Sequence, residues 1–155
     1  MTPRAAQLVQ LLGLVPHPEG GSYRETWRSA SPPGARAAVT TIYFLLDQGE
    51  RSRWHRVDAE EVWTHLEGGS LELWVWREGG EPECRIVGPV DAAGARPVSV
   101  VPAGVWQAAR PAAGYVLSGC TVAPGFEFRG FTLLAEHPEE AELLRQRRPD
   151  LGGLC

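Results

Sequence analysis

Two side chains in the stretch from Gly49 to Gly68, His55 and Glu61, carry chemistry that this chain can perform. An imidazole titrates near neutrality, so it can take up or release a proton under physiological conditions. A carboxylate beside it can set its tautomer and stabilise the imidazolium that forms. Side chains two apart on a strand share a face, so an inward His55 places Val57 inward as well. A short turn at Asp58-Ala59-Glu60 then returns the chain, bringing Glu61 to the same interior from the neighbouring strand. Burying a carboxylate costs several kcal/mol unless it is paired, which makes the two residues natural partners. The plainer alternative is an interior histidine that does no more than hold Glu61. Trp63 shares the face of Glu61 and forms either a pocket wall or core. His65 has the same parity but lies roughly 13 Å further along the strand, as a ligand contact or as a strand end. Tyr43 faces either the pocket or the outer layer.

The elements that must position these residues are short strands. Ser22 to Ser29 alternates, Val39 to Leu46 is a β-rich run, and Leu71, Leu73 and Val75 alternate with Glu72, Trp74 and Trp76. Cys84–Val87, Val98–Val101, Tyr115–Val122 and Phe128–Ala135 continue the series, with Gly/Pro turns between them. His17-Pro18-Glu19-Gly20-Gly21 reads as a loop. Many short strands at regular spacing predict an all-β sandwich or barrel. Thr2-Pro3 caps and starts an N-terminal helix that Gly13 ends. Pro138 opens a second helix to about Arg147, with acids first and arginines last as the helix dipole prefers. The tail after Pro149 is expected to fray. Trp74 and Trp76 form an aromatic strand face that a second subunit is expected to cover, hence a homodimer.

The chain has 155 residues, 43% apolar and 22% charged, with a net charge of −4. That predicts one soluble domain, residues 1–155 with a core at about 8–135, large enough to fold without staples. The negative charge argues against a nucleic-acid groove, which needs a basic stripe. No apolar run suits a signal peptide or a membrane span. Cys84, Cys120 and Cys155 form no CxxC pair. A cytoplasmic location is expected.

Gly49, His55, Val57, Glu61 and Gly68 resemble the first motif of the cupin superfamily, G-x5-H-x-H-x3-4-E-x6-G, with Val57 at the second histidine. Val101-Pro102-Ala103-Gly104-Val105-Trp106-Gln107 resembles the second motif, with Gln107 at its histidine. The segments His17–Tyr23, Thr41–Leu46, Trp54–Arg56, Glu61–Trp63 and Val122–Phe128 resemble one small-cupin family, the domain of unknown function 985. There a histidine tends to follow the tryptophan directly; here Thr64 does, and His65 comes one later. The resemblance implies a double-stranded β-helix, or jelly roll, with short terminal helices, commonly dimeric, and a pocket with no settled reaction. A cupin metal centre resembles three imidazoles and one carboxylate around an ion. Valine cannot coordinate and an amide oxygen suits such metals poorly, so no metal or other cofactor is expected, a divalent metal being the alternative. Gln107 can donate and accept hydrogen bonds, which suits orienting a polar ligand.

These readings converge on a small polar metabolite, a sugar or sugar nucleotide, bound in the barrel. Whether the chain is an enzyme stays open. Sugar epimerases of similar shape use a histidine base oriented by a carboxylate. A metal-independent epimerase or isomerase with His55 as base and Glu61 as its partner follows from that likeness. A non-catalytic sensor and a metal-dependent dioxygenase or isomerase are the alternatives.

Overall fold

The alternating segments assemble into two antiparallel sheets in a computed structural model that describes residues 1–155. The helix α1 (Pro3–Leu12) comes first, then strands β1 (Val15–Pro16), β2 (Ser22–Arg28), β3 (Thr40–Leu46), β4 (Ser52–Val57) and β5 (Glu60–Gly68). They are followed by β6 (Leu71–Trp76), β7 (Glu83–Val87), β8 (Val98–Val101), β9 (Trp106–Pro111), β10 (Val116–Ala123) and β11 (Phe131–Leu133). Helix α2 (Pro138–Arg147) and a 3-10 turn (Pro149–Leu154) end the chain. One sheet has the order β1-β2-β3-β10-β5-β8 and the other β11-β4-β9-β6-β7. From β3 to β6 each strand joins the sheet opposite its predecessor. That alternation makes the sandwich a jelly roll.

This topology corrects one expectation. His55 on β4 and Glu61 on β5 are not on neighbouring strands but in opposite sheets, because the Asp58-Ala59 turn crosses the gap between layers. They meet across the core rather than along a hydrogen-bonded ladder. The core between the sheets takes Phe44, Leu46 and Trp63 from one layer and Leu71, Leu73, Val75 and Ala109 from the other.

Each outer face has its own cover. Thr2 caps α1, whose Ala5 and Leu8 pack with Leu14 on Leu45 and Leu117 of the six-stranded sheet. Trp54, Trp74, Trp76 and Trp106 on the other sheet meet Leu134, Ala141, Leu144, Leu151 and Leu154. The aromatic face assigned to a second subunit is therefore filled by the chain's own C-terminal segment. The tail expected to fray is a 3-10 turn whose Leu151 and Leu154 are buried. The closing strand is shorter than expected: β11 has three residues, between 3-10 turns at Phe128–Gly130 and Leu134–Glu136.

Candidate functional site

A cavity of about 540 Å³ opens between the sheets, lined by His55, Glu61, His17 and Glu19 together with aromatic and aliphatic walls. Three elements deliver the polar groups gathered around His55. The loop between β1 and β2 brings His17 and Glu19, β4 brings His55 and Ser52, and β5 brings Glu61. The loop holds its shape through His17 N–H to the Gly21 carbonyl and Arg53 N–H to the Glu19 carbonyl, at 3.0 and 2.8 Å. Gly20 and Gly21 have φ of +112° and +70°. A Cβ on Gly20 would strike the Arg51 carbonyl, and one on Gly21 would lie 2.7 Å from the Leu45 carbonyl oxygen. Only glycine permits that conformation at that separation.

A second backbone irregularity completes the set. Ser52 and His55 are three apart, which on a regular strand would place them on opposite faces. The pairing of β4 with β9 shifts register between them. A bulge of this kind re-aims side chains, and the Ser52 hydroxyl donates to Glu19 Oε1 at 2.8 Å. Meanwhile Trp54, between them, packs outward under the C-terminal segment.

The hydrogen bonds fix the tautomers. His55 Nδ1 lies 2.7 Å from the Arg53 carbonyl, which can only accept, so Nδ1 carries the proton and Nε2 is the basic nitrogen. Nε2 sits 3.3 Å from Glu19 Oε2. The carboxylate in contact with the imidazole is thus Glu19, and the tautomer is set by a backbone carbonyl rather than by Glu61. No His55–Glu61 contact lies within ion-pair distance. His17 Nδ1 accepts from the Glu19 N–H at 3.2 Å, which puts its proton on Nε2. The His17 ring stands edge-on to Tyr23 with centroids 4.5 Å apart.

Burial dominates the electrostatics. It pushes the Glu19 carboxyl up to about 8, against smaller opposing effects of the Ser52 hydroxyl and the Arg53 guanidinium. It pushes Glu61 up to about 7, with His55 pulling down and Glu19 adding upward pressure. Burial, reinforced by His55, drives His17 down to about 4, and burial lowers His55 against the attraction of Glu61. Cys120, which also lines the cavity, is raised well above the ordinary thiol range by burial, so it stays protonated.

The other expected residues fall into two groups. Trp63 Nε1 donates to Gln107 Oε1 at 2.9 Å, and Gln107 Nε2 donates to Glu61 Oε2 at 2.5 Å. Both are buried and neither lines the cavity: Gln107 contacts the Glu61 carboxylate, and Trp63 reaches it only through Gln107. Tyr43 and His65 stand apart. Tyr43 pairs with Gly119 on the outer face and packs with the α1 layer. His65 Nε2 is 3.1 Å from the Gly69 carbonyl, at the far end of β5. Neither lines the cavity. His17, Glu19 and Ser52 were not singled out from the sequence. The signal that could have found them is the glycine pair, which marks a loop pressed against backbone rather than one splayed into solvent.

The donor set does not fit the metal centre that the motif suggests. Val57 and Gln107 stand at two of its four positions, and both ends of the Gln107 amide are already engaged. No group of three or more His, Cys, Asp or Glu is arranged to hold a metal ion.

The chain is similar to a protein of Shewanella oneidensis, with 35% identity, a TM-score of 0.81, and coverage of 92% of this chain and 96% of that one. A hypothetical protein from Leishmania major is similar at 30% identity and a TM-score of 0.78, covering 92% and 97%. Oxalate decarboxylase from Bacillus subtilis shares the fold alone, at 16% identity and a TM-score of 0.63, over 90% of this chain and 36% of that enzyme. No curated protein matches. A family model described as cupin superfamily (DUF985) matches residues 6–134, and the chain belongs to that family.

Proposed function

We propose that the cavity binds a small polar metabolite and that His55, with Glu19 and Glu61, moves a proton on it, the chemistry of a metal-independent epimerase or isomerase. One observation carries the reading: an imidazole with a basic Nε2 sits against one buried carboxyl and shares its cavity with another, and both carboxyls are shifted toward neutrality. Acid–base catalysts work best when their pKa lies near the operating pH.

The roles follow from the geometry. A proton removed from a carbon next to a substrate carbonyl passes to His55 Nε2 in the form with Glu19 ionised, where the carboxylate stabilises the imidazolium; that form grows as pH rises toward 8. Glu61 is the second group able to return a proton, so inversion or migration can occur without a metal. The enolate oxygen needs a donor. His17 supports that part, because it stays neutral and keeps an N–H on Nε2 with no protein acceptor; a neutral imidazole can polarise a carbonyl in this way. Of the two ligand classes expected, a free sugar suits the cavity better than a sugar nucleotide. The one guanidinium lining it, Arg28, is already bound by Glu25 at 2.8 Å.

The test is proton exchange in heavy water, followed by NMR, across a panel of keto sugars. Deuterium is expected at the carbon beside the carbonyl, with His55→Ala slowing its entry by about 10²–10⁴-fold. A ligand that stabilises the protein but acquires no deuterium would establish a binding protein or sensor instead. Elemental analysis of protein purified without chelator tests the metal-dependent alternative.

A further inference from the structure

We propose that the ligand of this cavity carries a protonated amine, anchored on Glu61 and enclosed by aromatic side chains. The inference rests on the cavity being the ligand site and names the ligand's charge. Four carboxyls line the cavity, Glu19, Glu25, Glu61 and Glu127, against one guanidinium, Arg28. Arg28 has no capacity left for an anionic ligand: it donates to both oxygens of Glu25 at 3.0 and 2.8 Å and to the Phe126 carbonyl at 3.1 Å. Glu127 is neutralised from outside by Arg129.

The carboxyls deeper in the cavity differ in what they have left to offer. Glu19 is engaged by Ser52 and the two imidazoles. Glu61 is 7% exposed, lines the cavity and takes one N–H, from Gln107 to Oε2, with the weak Cys120 S–H as its other side-chain donor. No Lys, Arg or His lies within ion-pair distance of it, and a ligand ammonium would supply a strong donor and the countercharge. Tyr23, Phe44, Phe126 and Phe128 contribute rings to the same walls. Such rings attract cations through their faces, most strongly where water is excluded. A Glu61 carboxyl without a cationic partner, a guanidinium with no free capacity and aromatic walls together select, once Glu61 is ionised, an amine over a neutral or anionic molecule of the same shape.

Three probes of nearly equal shape separate the possibilities: benzylamine, benzyl alcohol and benzoate, titrated calorimetrically and by thermal shift in mildly alkaline buffer. Benzylamine is expected to bind about tenfold or more tighter than benzyl alcohol, with benzoate weakest. Glu61→Gln should erase the preference for benzylamine over benzyl alcohol, read as the ratio of the two affinities. Exposed Glu25→Gln, which releases Arg28, should strengthen benzoate binding. Equal binding of the three probes, tighter binding of benzoate, or an undiminished amine preference in Glu61→Gln overturns the inference. Deuterium exchange in a neutral keto sugar without benzylamine binding overturns it and leaves the proton-transfer reading standing. Benzylamine binding with no exchange in any substrate does the reverse.

Discussion

Gln107 shows how much one side chain settles at the residue scale. Its amide oxygen takes the Trp63 N–H and its nitrogen serves Glu61, so the amide can point only one way. Gln107→Leu would leave a buried indole N–H and a buried carboxylate oxygen without partners. A loss of about 2–5 kcal/mol is expected, read by chemical denaturation. Glu19 makes the opposite kind of prediction. Its folded pKa, about 8, is above the ordinary 4.5, so the folded state holds more proton than the unfolded state between those values. Stability contributed this way is complete below about 4.5 and is lost as pH rises through 8. Glu19→Gln should therefore flatten the fall in melting temperature on the alkaline side and raise it at pH 8. An unchanged pH profile would show that Glu19 is not the buried acid described here.

At the scale of elements, the site depends on two departures from regular backbone. The β1–β2 loop reaches Glu19 into the cavity because Gly20 and Gly21 adopt positive φ against neighbouring carbonyls. Gly21→Ala adds both strain and a contact at 2.7 Å, so a destabilisation of about 1–3 kcal/mol and loss of ligand binding are expected together. The C-terminal segment makes a second prediction. It covers four tryptophans, and Arg148 lies over the Trp74 ring at 4.8 Å. Deleting residues 149–155 removes Leu151 and Leu154 and should cost about 3–6 kcal/mol, with increased binding of a hydrophobic dye. A truncated protein that melts like the full chain would contradict this packing.

For the whole molecule, the two sheets divide the work. The inner faces hold the core and the cavity, and the five-stranded sheet is covered outside by its own chain. Beyond α1, the six-stranded sheet leaves a row exposed: Trp27, Thr41, Thr121, Val62 and Val100 are successive register partners across five strands, none of them charged. Trp27 is 63% exposed and Val100 45%. The homodimer expected from the sequence is a proposal that belongs on this face, since the aromatic face first assigned to it is filled. Light scattering should give twice the chain mass, and Trp27→Glu should return it to one. A monomer at high concentration removes the proposal. The pH dependence of the whole molecule combines opposing groups. His17, lowered to about 4, binds less proton when folded, so its share of stability rises from pH 4 to about 6.5. Glu61 and Glu19 oppose it from about pH 4.5, and above 6.5 they alone of these three groups act, so stability falls as pH climbs toward 8.

What the sequence determined by itself was local. Strand periodicity, glycine and proline turns, the two terminal helices and the spacing from Gly49 to Gly68 are all short-range patterns; they point to an all-β sandwich or barrel with His55 and Glu61 inside it, and the resemblance they carry adds the jelly roll. Which carboxyl meets which imidazole was decided only in three dimensions. Glu19 is 36 positions from His55 and reaches it through a loop that needs Gly20 and Gly21 and through a bulge, neither of which follows from side-chain alternation. The same holds for Gln107, whose two side-chain partners stand on β5 of the opposite sheet, and for the tryptophan face, whose cover comes from Leu134 onward. Contacts of long sequence separation are fixed by how layers close on one another, and that closure leaves no periodic trace in the residues it brings together.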